Sequence, residues 1–313
     1  MINIYKRTES GLETLEQPLN NSWVNVIDPT PEEIEKLVSW GLPHDFVTYP
    51  LDMDERARTE REDDGTLLIL LRIPFFQGLN ADVPYISMPL GVITTARFIV
   101  TICRAQNDIL QEFVSGRVRG LETGKRNRFI LRLLLYTANR YLSYLREINK
   151  VVDTVEDRLQ LSQRNRELLE LLKYQKSLVY FTTALKSNEL VMERLQRWQF
   201  FRMYSEDEDL LEDVITENQQ AIEMVNISTN ILSSTTDTFA SIISNNLNAV
   251  MKFLASATIV VNLPTIVYSF FGMNVDLPFQ QNIVYPYAYL IILGISIAIS
   301  LVVILMFIRR DWF

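Results

Sequence analysis

Cysteine and histidine are almost missing from this chain: its 313 residues hold one of each, Cys103 and His44. A lone cysteine excludes a disulfide framework within one chain. A zinc site of the usual Cys/His ligand set is equally out of reach. Any metal handled here must meet oxygen ligands, which favours hard ions such as Mg²⁺. Positive charge is also scarce, with 30 Lys and Arg against 38 Asp and Glu and a formal net charge of −8. That balance argues against nucleic acid as a partner and makes a surface that gathers cations. The opening segment, Met1 to Ser10, lacks the apolar run of a signal peptide, so the N-terminal part is expected to stay in the cytoplasm. The chain has no Gly-rich phosphate loop, no nucleophile–His pair and no metal-ligand helix motif, so neither an enzyme nor an organic cofactor is expected.

Glycine and proline are absent from Lys125 to Leu263. Together they make up roughly 12% of ordinary sequence, so a gap of this length points to long helices. Leu131, Leu134, Leu135, Ala138, Leu142 and Leu145 recur at helical spacing. Ser205-Glu206-Asp207-Glu208-Asp209 reads as a capped restart with acids in the first turn. One or two antiparallel helices are expected over 125–204, then one very long helix from Ser205. The first 124 residues hold every Gly and Pro before position 264 and mix two periodicities. Ser22–Ile27, Thr66–Phe76, Ser87–Thr94 and Phe98–Cys103 read as strands, the last two as a hairpin. Thr30-Pro31-Glu32-Glu33 reads as a helix start, with the helix stopping at Gly41. Residues 1–124 are therefore expected to form a compact α/β domain.

Two segments lack charge altogether, Phe253–Phe271 and Tyr287–Ile308. Each is close to the roughly 20 apolar residues that cross a bilayer. Between them, 272–286 has no Lys or Arg, whereas Lys252 precedes the first span and Arg309-Arg310 follow the second. The positive-inside rule puts both ends, including the 309–313 tail and its basic inner ring, in the cytoplasm and the short loop outside. Tyr285, Tyr287 and Tyr289 suit the outer interface and Trp312 the inner one. The expected location is the cell membrane, with the lipid bilayer as one partner.

A stripe runs along the long helix. Steps of four and three from Asp237 give Ser241, Ser244, Asn248, Met251, Ala255, Thr258, Asn262, Thr265, Ser269 and Gly272. All but Met251 are small or polar, on one face sampled at a 3.5-residue period. At about 1.5 Å per residue the stripe spans roughly 50 Å, more than a bilayer. Two readings fit: close packing of transmembrane helices, or the lining of a water-filled channel formed by several subunits. Asn262, an amide at mid-membrane, favours water. Met251 and Leu254, near the cytoplasmic boundary, are candidates for a hydrophobic gate or for simple helix packing. Asp237 is a candidate inner-mouth carboxylate or an ordinary surface acid.

At the outer end of the first span stands Tyr268-Ser269-Phe270-Phe271-Gly272-Met273-Asn274. Gly272-Met273-Asn274, directly after one span and before a short loop and a second span, resembles the signature of the CorA magnesium transporters. Asn248-Ala249-Val250-Met251-Lys252 resembles the segment where that family's helix enters the membrane. The resemblance covers the whole chain. It implies an α+β membrane protein: a cytoplasmic α/β domain, a long helical stalk over 205–271 with the first span at about 252–271, a second span over 287–308, and a funnel-shaped homopentamer. It implies Mg²⁺ as cargo, often with Co²⁺ or Ni²⁺. It places the selectivity ring at Gly272, Met273 and Asn274, the gate at Asn248, Met251 and Leu254, and the inner mouth at Asp237. It also implies a regulatory Mg²⁺ at Asp213 between neighbouring subunits. Where the family carries its acidic partner for that site this chain has Thr48-Tyr49, with Asp52 and Asp54 just beyond as substitutes. A CorA-like Zn²⁺ transporter, with or without proton coupling, and a non-conducting membrane-anchored scaffold are the rival readings.

Overall fold

The computed structural model describes residues 1–8, 11–162, 165–197, 205–273 and 288–310. It divides into two units, Met1–Thr236 and Asp237–Phe313.

The described part of the first unit carries a seven-stranded sheet. Its strands are β1 (Ile2–Thr8), β2 (Gly11–Leu15), β3 (Trp23–Ile27), β4 (Arg58–Arg61), β5 (Leu67–Phe76), β6 (Tyr85–Thr94) and β7 (Ile99–Cys103), in the order β2-β1-β3-β7-β6-β5-β4. Only β3 and β7 run parallel; the other neighbours are antiparallel. The central strands are apolar on both faces because both faces are covered. On one side Val24, Val26, Val100 and Ile102 pack with Leu37 and Phe46. These come from α1 (Pro31–Ser39) and α2 (His44–Thr48). On the other, Trp23, Ile99 and Cys103 pack with Ile109, Leu110 and Phe113 of α3 (Asp108–Val114) and with Phe129, Ile130, Leu131, Leu133 and Leu134 of α4 (Arg126–Ser162). Alternation along each strand sends neighbouring residues to opposite cores.

The start of α1 is a capping box. Thr30 Oγ1 accepts from the Glu33 N–H, and the Glu33 carboxylate accepts from the Thr30 N–H. Gly41, at φ +93°, then ends the segment where a side chain would be strained. Gly91 in β6 has a different role. A Cβ there would overlap the ring of Pro50, so its hydrogen lets the Tyr49–Leu51 turn lie flat on the sheet.

Cys103 is fully buried, and loss of hydration pushes its thiol up to about 11. The thiolate is the reactive form. Native protein at pH 7.5 is therefore expected to resist iodoacetamide, with labelling appearing only on denaturation; mass spectrometry of the intact chain reads this directly.

Long helices fill the Gly- and Pro-free stretch: α4, α5 (Asn165–Arg197) and α6 (Ser205–Phe271). Leu211 and Val214 of α6 enter the core beside Val191 and Leu195 of α5. Asp207 lies in the acidic opening of α6, yet it is buried in an ion pair with Arg128 of α4, Nε to Oδ1 2.9 Å. The second unit contains the remainder of α6 and α7 (Ala288–Arg309). Both helices are long and apolar enough to cross a membrane, and little of either apolar window is buried. A core helix of a soluble domain would be covered instead.

Pro264 sits inside α6. It removes one backbone donor and frees one carbonyl, a defect that transmembrane helices tolerate when neighbouring groups compensate.

Candidate functional site: a polar face on the membrane helix

Within the second unit, the two helices bury one face each. On α7 the less exposed positions are Ile292, Ser296, Ser300, Val303, Ile304 and Phe307. In the apolar part of α6 they are Ser256, Ala257, Val260, Leu263, Pro264, Val267 and Phe271. Both sets recur at helical spacing, as expected where two helices cover each other, and the small Ser256, Ser296 and Ser300 permit close approach.

The stripe lies elsewhere. Asp237, Ser241, Ser244, Asn248, Met251, Ala255, Thr258, Asn262, Thr265, Ser269 and Gly272 are all exposed. At about 100° per residue, the mean direction of its membrane part points roughly opposite to the covered face of α6. Packing against α7 therefore does not account for this row of small and polar side chains. Leu254, Lys252, Arg309 and Arg310 are exposed as well.

Local bonding sets what the face can offer. Thr258 Oγ1 donates to the Leu254 carbonyl at 2.7 Å. Its hydrogen is spent along the helix, and its lone pairs are left to accept from water. At the C-terminal end of α6, the Gly272 N–H bonds the Tyr268 carbonyl at 2.9 Å and the Met273 N–H bonds the Phe270 carbonyl at 3.4 Å. The helical bonding pattern thus runs into the Gly-Met-Asn segment. A Cβ on Gly272 would come within 3.2 Å of the Tyr268 carbonyl, somewhat closer than an ordinary van der Waals contact. Asn274, the last residue of the expected selectivity ring, lies outside the described residues, as do Tyr285, Tyr287 and Trp312.

The expected regulatory acids are Asp213 on α6 and Asp52 and Asp54 after α2; all three are exposed. The Asp54 N–H donates to Asp52 Oδ1 at 3.0 Å. Among the described residues of one chain no group of three or more acids, His or Cys comes together to hold a metal.

Sequence reasoning missed the clamp behind these acids. Arg72 of β5 donates to the carbonyls of Met53 at 2.6 Å, Glu55 at 2.8 Å and Ser87 at 2.7 Å. It thereby ties the acid-bearing turn to the sheet, and burial lowers its affinity for a proton. The signal was a lone charge in Leu-Leu-Ile-Leu-Leu-Arg-Ile, since an unpaired Arg is rarely tolerated in so apolar a strand.

Comparison with known proteins bears on both units. The family model described as CorA-like Mg²⁺ transporter protein matches residues 20–310. Comparison with curated proteins returns no match. Among solved structures, the complete CorA magnesium transporter from Methanocaldococcus jannaschii superposes with a TM-score of 0.85 at 22% identity, covering 100% of this chain and 99% of that one. The full-length CmaX protein gives 0.70 at 17% identity, over 100% and 97%. The cytoplasmic domain of ZntB from Vibrio parahaemolyticus gives 0.59 at 11% identity, over 79% and 97%. At these identities the likenesses establish the fold.

Proposed function

The chain belongs to the CorA-like Mg²⁺ transporter family, a family of membrane-embedded divalent-cation transporters and not of enzymes, and from that premise we propose that it is a homopentameric channel for passive Mg²⁺ uptake, shut by cytoplasmic Mg²⁺. The observation that carries the reading is the exposed row from Asp237 to Gly272, turned away from α7. Copies of α6 placed around one axis would line it with hydroxyls and amides. Mg²⁺ dehydrates reluctantly, so a lining of neutral oxygens that bonds the ion's waters suits it better than stripping them. Gly272 and Asn274 would supply the outer ring, with Gly272 leaving its carbonyl unobstructed. Rings of Met251 and Leu254 would form an apolar constriction that closes by dewetting, and Asp237 would concentrate cations at the inner mouth. With both termini cytoplasmic, an inward-negative potential drives entry: two charges gain about 4.6 kcal/mol per 100 mV.

Closure requires a ligand that favours the shut state. Mg²⁺ bridging Asp213 to Asp52 or Asp54 of a neighbouring subunit would do this, since without it the facing acids repel. Asp213→Ala is expected to raise the internal Mg²⁺ needed for half-inhibition by about tenfold, the effect of losing roughly 1.4 kcal/mol of coupling. Flux into liposomes at graded internal Mg²⁺ measures it, and an unchanged inhibition curve would rule the bridge out.

The test of the whole reading is ion flux into proteoliposomes with Mg²⁺, Co²⁺, Ni²⁺ and Zn²⁺ in turn, paired with the mass of the solubilised complex. Saturable Mg²⁺ entry through a pentamer is expected. Zn²⁺ entry without Mg²⁺ entry would favour the zinc transporter, and no flux at all would favour a scaffold.

A further inference from the structure

The first unit contains a groove that the membrane pathway does not use. β3 and β7 run parallel, and the helices that follow them go to opposite faces: α1 to the Val24–Val26 side, α3 to the Trp23–Ile99 side. Divergence of this kind opens a crevice at the carboxyl ends of the two strands, the place where open α/β sheets bind ligands. The structure has a groove of about 580 Å³ there, reaching across β1 and bounded by α3. That volume lies within the range of small-molecule sites.

Amides dominate its polar lining: Asn3, Asn25, Gln106 and Gln111. Asn25 is the telling one, at 2% exposure. The Trp23 Nε1–H donates to Thr101 Oγ1 at 2.8 Å, and the Thr101 hydroxyl donates in turn to Asn25 Oδ1 at 3.0 Å. This chain fixes the amide's orientation and leaves Asn25 Nδ2, with two hydrogens and no partner among the described residues, on the groove side. Tyr5, Leu110 and Val114 supply apolar surface. The lining contains no Lys or Arg side chain, and the Met1 ammonium at its edge is already bonded to Glu33 Oε2 and the Ile27 carbonyl. The Asp28 carboxylate stands at the same end.

We propose that this groove binds a purine nucleoside. Asn and Gln side chains match the paired donor and acceptor edge of adenine, apolar walls take the ring faces, and a carboxylate at a strand end suits ribose hydroxyls. The absence of cationic side chains and the presence of Asp28 disfavour a phosphate, so the nucleoside binds better than its nucleotide.

Adenosine titrated into the detergent-solubilised full chain, followed by isothermal calorimetry, is expected to bind saturably at one site per chain. AMP is expected to bind at least threefold more weakly, and Asn25→Ala to weaken adenosine at least tenfold. Asn25 also accepts from Thr101, so Gln111→Ala provides a second arm: its exposed side chain makes no hydrogen bond within the described residues, and a loss of at least threefold is expected with the melting temperature unchanged. No saturable adenosine binding at millimolar concentration, AMP binding as tight or tighter, or unaltered affinity in both variants would each overturn the assignment. None of these readouts depends on ion flux.

Discussion

Asn262→Phe is expected to lower Mg²⁺ uptake on the order of 100-fold or more, because an aromatic ring from every subunit at one level of a narrow pore both fills it and dries it. The residue is exposed midway along the membrane part of the stripe, roughly opposite the face that α7 covers. The substitution replaces a costly mid-membrane amide by an apolar group, so assembly is expected to survive. Val302→Phe on α7 is the matched control. Its side chain is 65% exposed, it lies off the covered face, and it introduces the same ring without approaching the proposed axis. Uptake through that variant is expected to stay within about twofold of wild type, since an apolar exchange on a lipid-facing surface changes little. Radiotracer or fluorescent-indicator flux into liposomes, normalised to reconstituted protein, gives both values. Equal flux through wild type and Asn262→Phe would mean that the stripe faces something other than the ion path.

How far the sequence could be read depended on whether a feature was local and periodic. The stripe, the apolar spans and the restart at Ser205 are repeats or short words within one element, and each is visible in the chain. The central strands β5, β6 and β7 were legible because burial on both faces makes their residues uniformly apolar. β1, β2 and β4 were not. They lie at or near sheet edges, and Gly11–Leu15 and Arg58–Arg61 carry charged and polar side chains that edges favour and strand patterns penalise. The short helices α2 and α3 hold too few turns to show a period. Long-range pairings left no trace at all. Nothing near Asp207 announces that its partner is Arg128 rather than a helix terminus, and nothing near Asn188 of α5 announces that its amide bonds the backbone of Arg72 in β5. The groove beside Asn25 is equally silent, because it arises from which way two helices depart from parallel strands.

The β5 clamp carries the second large expectation. β4 pairs with β5 only as far as Leu70, so on that side the backbone of Arg72 has no strand to bond. Asn188 of α5 takes the strand's place. Its Oδ1 accepts from the Arg72 N–H at 2.8 Å, its Nδ2 donates to the Arg72 carbonyl at 2.7 Å, and the Tyr141 hydroxyl donates to the same carbonyl at 3.0 Å. Meanwhile the guanidinium holds the Met53 and Glu55 carbonyls from the turn and Ser87 from β6. One residue thus joins the sheet, two long helices and the turn bearing Asp52 and Asp54. Arg72→Met keeps the stem but strands three carbonyls, which should cost about 3 kcal/mol and lower the melting temperature of the solubilised chain by roughly 6–12 °C. Arg72→Lys should fall between the two, because an ammonium reaches one side of the clamp but lacks the fork that spans both. Asn188→Leu should cost about 2 kcal/mol: the carbonyl keeps Tyr141, whereas the N–H is left buried without a partner. Since Arg72 and Asn188 act through one network, the double variant is expected to lose less than the sum of the two single losses. Strict additivity of the melting shifts would mean that the turn and the helices are held independently, and that movement of one need not be felt by the other.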